Sequence, residues 1–244
     1  KAVRTYSGTD NPPASIVFDG KTDSGATAPE GAYCAKVTAK YLNGYETDPL
    51  KSPVFILDVT SPNAKIGLSN PVFSPDGDGN LDTLFITQVT APDYGSPVNN
   101  WKGSILGADG KVVKSYDFGA YLPEKISWDG ITEETGLADN GTYTYVVTAS
   151  DAAGNTSRIK GGSFTLDTSK TELLLSASPL AFNPATGSVR LTPVVKSGSA
   201  ISSYTISVTD KDNNTVWKQS ANKALPVSFT WNGLSDAGSR CADG

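Results

Sequence analysis

Histidine and methionine are absent from this 244-residue chain, and cysteine occurs only twice. Without histidine there are no Ser–His or Cys–His nucleophile pairs, and most zinc sites are excluded. With no methionine even at the start, a mature product or a fragment is expected. Cys34 and Cys241 lie 207 residues apart, far from metal-ligand spacing, so two free thiols are expected rather than a bridge between the ends. Long apolar runs are missing too. None approaches the ~20 residues a membrane-spanning helix needs, and no charged-then-apolar leader opens at Lys1; such segments lie outside this chain or were removed. A net charge of −5 and a pI near 4.8 argue against nucleic acid, whose phosphates need a basic face.

What remains is turn and strand chemistry. Hydrophobic residues make up 38% of the chain, low for one thick-cored enzyme, and Gly, Ser, Thr, Asn and Asp fill the difference. The length suits one large domain or two to three small ones.

An internal repeat decides between them. "IVFDGKTDSGATAPEGAYCAKVTAKYLNG" (16–44) and "ISWDGITEETGLADNGTYTYVVTASDAAGNTS" (126–157) share an aromatic–Asp–Gly start, a polar stretch, Gly–x–Tyr and an alternating strand. A third copy opens at "FTWNGLSDAGSRCADG" (229–244), and "NWKGSILGADGKVVKSYDF" (100–118) matches "SYTISVTDKDNNTVWKQSA" (203–221). The landmark aromatics Phe18, Trp128 and Trp231 are 110 and 103 residues apart, the size of one immunoglobulin-type sandwich and far beyond a solenoid repeat. The expected organisation is therefore the closing part of a first module in 1–60, a complete module in 61–167, and the opening part of a third in 168–244. The joints "LDVTSPNAK" (57–65) and "LDTSKTE" (166–172) look alike, and linkers this short restrict independent tumbling.

Strands are expected at 82–90, 100–107, 111–118, 142–150 and 162–167, each short, β-branched or aromatic, and bounded by turn residues. In the fourth, Tyr143, Tyr145, Val147 and Ala149 share one face while Thr144, Val146, Thr148 and Ser150 share the other. "GADGK" (107–111) reads as a hairpin turn. No sustained 3.6-residue period is present, so the expected class is all-β: tandem immunoglobulin-like antiparallel sandwiches with almost no helix. Tyr143 fits a tyrosine corner, its hydroxyl returning to the backbone just upstream, and Tyr33 is its counterpart. Trp128 and Trp231 are expected between sheets; exposed rings would instead make a sugar platform.

The stretch "NPVFSPDGDGNLDT" (70–83) carries the main candidate site. Asp76, Asp78, Asn80 and Asp82 alternate along the chain, so a turning backbone points their oxygens inward, as Ca²⁺ requires. The core D-x-D-G-x-x-D is similar to the loops of calcium-binding repeats in extracellular proteins. An EF-hand is excluded, because Leu81 holds the sixth position and Thr87 the twelfth. The third copy keeps "LAFNPATGSVRLT" (180–192) with no carboxylate, so a metal-free turn is the competing reading, and both stand at this point. "DAAGN" (151–155) reads as turn chemistry. Glu133 and Glu134 in "ITEETG" read as a solvated loop rather than a glycosidase pair, with Asp23 and Asp236 as their nearest equivalents. No catalytic residue is expected.

"FSPDGDGNLDT", "WDG" and "LADNGTYTY" together resemble the Ig-like repeat of flagellar hook-capping proteins and similar modules of gliding-motility-type surface proteins. The resemblance covers 61–167 well, 168–244 loosely, and 1–60 only in its closing hairpin. It implies an exported multi-module protein located at the cell surface, outer membrane or periplasm. The expected function is a non-enzymatic spacer. The alternatives are an adhesin binding protein or glycan through loop tips or a sheet edge, and accessory modules of an exported hydrolase. A third module lacking its last strands leaves open edges, so a trimmed chain or strand exchange between chains is expected.

Overall fold

The computed structural model describes residues 1–9, 13–92, 95–196 and 200–242; Asp243 and Gly244, which end the third repeat copy, lie outside them. Among the described residues the regular structure is strand and turn with no helix. The fold class is all-β, built from antiparallel sheets packed as Ig-like sandwiches. The chain divides into two compact units, Lys1–Leu166 and Asp167–Gly244.

The first unit begins with β1 (Gly31–Tyr33), β2 (Lys36–Val37), β3 (Leu50–Lys51) and β4 (Phe55–Leu57). β1 pairs with β4 and β2 with β3, so 31–57 is one antiparallel hairpin. The Tyr41 amide donates to the Tyr45 carbonyl (2.8 Å) near its tip. Phe18, Tyr33 and Phe55 cluster with ring centroids 6.1 to 6.3 Å apart.

The unit continues with β5 (Ala64–Leu68), β6 (Val72–Phe73), β7 (Leu84–Thr90), β8 (Val98–Leu106), β9 (Val112–Gly119), β10 (Lys125–Trp128), β11 (Gly141–Asp151) and β12 (Thr156–Leu166). One sheet has the order β10–β7–β5 and the other β6–β12–β11–β8–β9. All neighbours are antiparallel except β6 and β12, which run parallel through Val72–Thr165 and Phe73–Leu166. Period-two patterning sets β11: Tyr143, Tyr145, Val147 and Ala149 are buried, while Thr144, Thr148 and Ser150 lie toward solvent. Val146 departs from that expectation and is buried, beside a shift in the β11–β12 register. β12 is longer than its expected span, starting at Thr156, and β5, β6 and β10 are strands the patterning did not mark.

Trp128 is 1% exposed and centres the core. Its ring lies 5.4 Å from Phe73, 5.4 Å from Tyr143 and 5.9 Å from Phe164. A ring of this size buries ~200 Å², which at ~25 cal/mol/Å² contributes about 5 kcal/mol. Buried polar atoms beside it are satisfied. The Trp128 Nε1–H donates to the Ile131 carbonyl (2.9 Å) and the Tyr145 hydroxyl to Gln88 Oε1 (2.8 Å). Gln88 Nε2 in turn donates to the Pro123 carbonyl (2.9 Å).

The landmark turn is built the same way three times. Ala28, Ala138 and Cys241 donate their amides to the carbonyls of Gly20, Gly130 and Gly233, glycines with φ between 77° and 84°. The acid of each turn reaches back to a backbone amide 18 residues earlier. Asp23 accepts the Thr5 amide, Glu133 the Ser115 amide and Asp236 the Lys218 amide. The Phe–x–Pro stretch closes over this turn: a Cβ on Gly130 would meet Pro75 at 2.8 Å, and one on Gly233 would meet Pro184 at 2.7 Å.

The second unit holds β13 (Leu173–Ser178), β14 (Val189–Val195), β15 (Tyr204–Thr209), β16 (Thr215–Ala221) and β17 (Phe229–Trp231). Its sheets are β13–β14–β17 and β15–β16, which repeat β5–β7–β10 and β8–β9. Phe182 and Trp231 stand 5.8 Å apart, an arrangement like that of Phe73 and Trp128 at 5.4 Å. Trp231 Nε1 donates to the Leu234 carbonyl (2.8 Å). Among the described residues of this unit nothing corresponds to β11 or β12.

Candidate functional site

The acidic loop joins β6 to β7. Carboxylate oxygens of Asp76, Asp78 and Asp82 lie within 4.8 Å of one another. The loop winds around Asp82: Oδ1 accepts the Gly77 amide and Oδ2 the Gly79 amide, both at 2.8 Å. Such wrapping needs φ of 83° and 89° at Gly77 and Gly79, the left-handed region where glycine carries no steric penalty. Asp78 Oδ1 accepts the Asn80 amide (2.7 Å), and Asp76 Oδ1 accepts the Asp78 amide (3.3 Å). Asp82, which the sequence ranks with its neighbours, is thus the residue that shapes the loop. Asp76 and Asp78 are exposed. The unused carboxylate lone pairs are of the hard oxygen type that suits a divalent cation.

A second polar cluster sits where residues 1–60 meet the sandwich within the first unit, and the sequence reading passed it over. Asp58 follows β4 directly and is 7% exposed; Asp151, the last residue of β11, is 3% exposed. Asp58 Oδ2 accepts both the amide and the hydroxyl of Ser96 at 2.6 Å, and Oδ1 accepts the Thr60 amide at 3.0 Å. Asn155 bridges the two acids. Its amide and side-chain nitrogen bond Asp151 at 2.8 and 2.9 Å, and that same nitrogen donates to the Asp58 carbonyl at 3.3 Å. The Ser96 hydroxyl also accepts the Ala153 amide (3.1 Å). Gly95 is required by close approach, since a Cβ there would lie 2.4 Å from the Asp58 carboxylate.

The Ser96 hydroxyl and amide hold the Asp58 carboxyl below the usual carboxylate range, against the opposing effect of burial. Charge-assisted bonds to a buried carboxylate are the stronger kind. "DAAGN" is therefore a structural turn as expected, and a docking surface for the joint as well. The signal lay in the joints: Leu–Asp comes at the end of the closing strand both at 57–58 and at 166–167. Ser169 donates its amide to Asp167 Oδ1 (2.9 Å), the local turn that Thr60 makes with Asp58.

The tyrosine corners form as expected. The Tyr143 hydroxyl donates to the Asp139 carbonyl at 2.6 Å, and that of Tyr33 to the Pro29 carbonyl. The glutamates of "ITEETG" are separated in role, with Glu133 on the Ser115 amide and Glu134 lining an open cleft with Asp139 and Tyr143. Cys34 is exposed, Cys241 partly so, and both are free. No helix among the described residues is long and apolar enough to cross a membrane.

Fold and joint together define a class: Ig-like β-sandwich modules in tandem. No family model and no curated protein matches the sequence. Among solved structures the chain is similar to dimeric latent PorU from Porphyromonas gingivalis, at 17% identity and TM-score 0.35 over 58% of this chain and 13% of that one. It is also similar to a tetra-tandem repeat in the extending region of a large adhesion protein, at 17% identity and TM-score 0.35 over 90% of this chain and 51% of that one. A third is the FN1–FN3 region of chicken CNTN1, at 12% identity and TM-score 0.29 over 82% and 67%. The chain thus spans about half of the adhesion-protein repeat and a small part of PorU.

Proposed function

We propose that the chain is a run of spacer modules from an exported bacterial surface protein, holding other domains away from the cell without chemistry of its own. The observation that carries this reading is the buried joint at Asp58. A linker residue bonded through its carboxylate to one tip loop of the following sandwich and through its carbonyl to another stiffens the connection, and stiffness is what a spacer requires. The landmark acids Asp23, Glu133 and Asp236 hold backbone amides rather than facing one another across a cleft, which fits a non-catalytic role.

Backbone ¹⁵N relaxation tests the reading. Residues 13–57 and 61–166 are expected to tumble with one correlation time in the native protein and with two in Asp58→Ala. Independent tumbling in the native protein would remove the spacer reading.

A second reading, an adhesin contact, is favoured by one place. Tyr41, Leu42 and Tyr45 are 57%, 110% and 61% exposed at the tip of the 31–57 hairpin, with the two tyrosine rings 5.9 Å apart. The equivalent tip of the complete module is the polar "DAAGN". Exposed paired aromatics on a loop suit protein or glycan binding. Loss of binding to host-cell or glycan arrays in a Tyr41→Ser, Tyr45→Ser variant of unchanged stability would support it.

A further inference from the structure

The outermost strand of a sheet carries a row of unpaired backbone donors and acceptors, a template for pairing with another chain. The two sheets of the complete module end on four such strands: β6 with two residues, β10 with four, β5 with five and β9 with eight. The first three are too short to offer much ladder. β9 is the long one, and among the described strands it pairs with β8 alone.

Glu133 occupies the other side of β9. Its amide donates to the Val113 carbonyl (3.0 Å), and its Oε1 accepts the Ser115 amide (2.6 Å). One residue of a parallel neighbouring strand makes this pair of bonds, with the carboxylate standing where that residue's carbonyl would be. Further along, the Gly119 amide is taken by Asp117 Oδ1 (3.1 Å). The other landmark turns repeat the arrangement. Asp236 donates its amide to the Val216 carbonyl (3.0 Å) and accepts the Lys218 amide (3.1 Å). Those are the second and fourth residues of β16, as Val113 and Ser115 are of β9. Asp23 donates to the Val3 carbonyl (3.1 Å) and accepts the Thr5 amide (3.0 Å). In each case the acid is the second residue of a four-residue turn, closed by Gly25–Thr22, Thr135–Thr132 and Gly238–Ser235 hydrogen bonds.

We infer that the landmark acid is an edge guard: it lies against the outermost strand as a false strand one residue long and keeps like modules from pairing edge to edge. Tandem modules need such a guard more than single domains do. Short linkers hold them at effective concentrations on the order of millimolar, and their edges share one sequence pattern. Both contacts are hydrogen bonds to the β9 backbone, so the guard acts by occupancy rather than by charge. It is independent of the spacer reading, which rests on the Asp58 joint.

Proline suits the second position of such a turn and has neither an amide hydrogen nor a carboxylate. Glu133→Pro therefore keeps the turn and uncovers both groups of β9, whereas Glu133→Gln keeps an amide and an acceptor oxygen and discards only the charge. Analytical ultracentrifugation of the 244-residue chain in reducing buffer reads the result. Glu133→Pro is expected to show a weight-average mass that climbs with concentration toward about twice the native value, the limit of a two-fold contact. Glu133→Gln is expected to follow the native curve. Amide exchange locates the contact: in Glu133→Pro the Ser115 amide exchanges fast when dilute and regains protection as the mass rises, while Val147 in β11 stays protected throughout. Glu133→Ala, which frees Ser115 alone, supplies the same two readouts if proline exposes Val147. Variants that sediment as the native protein, a glutamine variant that associates as the proline one does, or association without protection at Ser115 overturns the proposal.

Discussion

Asp58 and Ser96 meet through one oxygen: Asp58 Oδ2 accepts the amide and the hydroxyl of a residue 38 positions further along, both at 2.6 Å. Removing the carboxylate leaves a buried N–H and O–H without acceptors. Asp58→Ala is therefore expected to destabilise the first unit by about 2–3 kcal/mol, the cost of orphaned buried donors. Urea unfolding followed by Trp fluorescence measures it. A loss below ~0.5 kcal/mol, the range of ordinary surface substitutions, contradicts the buried geometry.

The same carboxylate sets an acid limb. Its folded-state pKa is depressed, so between that value and the unfolded ~3.9 the unfolded chain binds the extra proton. The stability from Asp58 is complete above about pH 4 and is lost as pH falls through the folded pKa. Asp58→Asn is expected to be less stable at pH 7 and to lose less further stability between neutral and acid pH than the native protein. Asp109 and Asp210, whose carboxyls are also lowered by hydrogen bonds, first of all from Lys111 and Asn214, keep the limb from vanishing. Thermal melts across pH 2.5–7 of the two proteins supply the comparison; parallel curves would show that Asp58 has no part in it.

In the acidic loop, the carboxylates are expected to differ in weight. Asp82→Ala removes acceptors from the Gly77 and Gly79 amides and is expected to lower stability by about 1–2 kcal/mol, while Asp78→Ala, which frees the Asn80 amide to water, is expected to stay within ~0.5 kcal/mol. Repeating the melts with millimolar calcium tests the cation expectation. A rise in the native Tm that Asp78→Ala abolishes requires a bound ion, whereas coincident curves leave the loop to its hydrogen bonds.

Tyr143→Phe keeps the stacked ring and deletes the bond to the Asp139 carbonyl. A loss of about 1 kcal/mol is expected, visible as a lower urea midpoint with an unchanged slope. A changed slope would mean that the corner shapes the whole sandwich rather than one turn.

The architecture was legible wherever a residue repeats its environment. Trp128, Tyr143 and the 107–111 turn recur in neighbouring copies, and period two marked β11 face by face. What escaped depended on partners distant in the chain. Asp58 and Ser96 sit in loops with no periodicity, so nothing local indicated that they meet. Glu133 read as a solvated acid because its acceptor role depends on the Ser115 amide, 18 residues earlier on another strand. Within the acidic loop three aspartates looked equivalent, and only the backbone path shows that Asp82 organises the others. Short strands such as β6 and β10 were missed because two to four residues carry no measurable alternation.

The parallel pairing of β6 with β12 has a mechanical consequence. β6 follows the first strand of the sandwich, β5, and β12 is its last, and Thr165 also donates its amide to the Pro71 carbonyl. Tension applied along the polypeptide pulls the two in opposite directions along their own length, so their cross-links are strained together rather than opened one after another. A module tied off in this way resists stretching by shear.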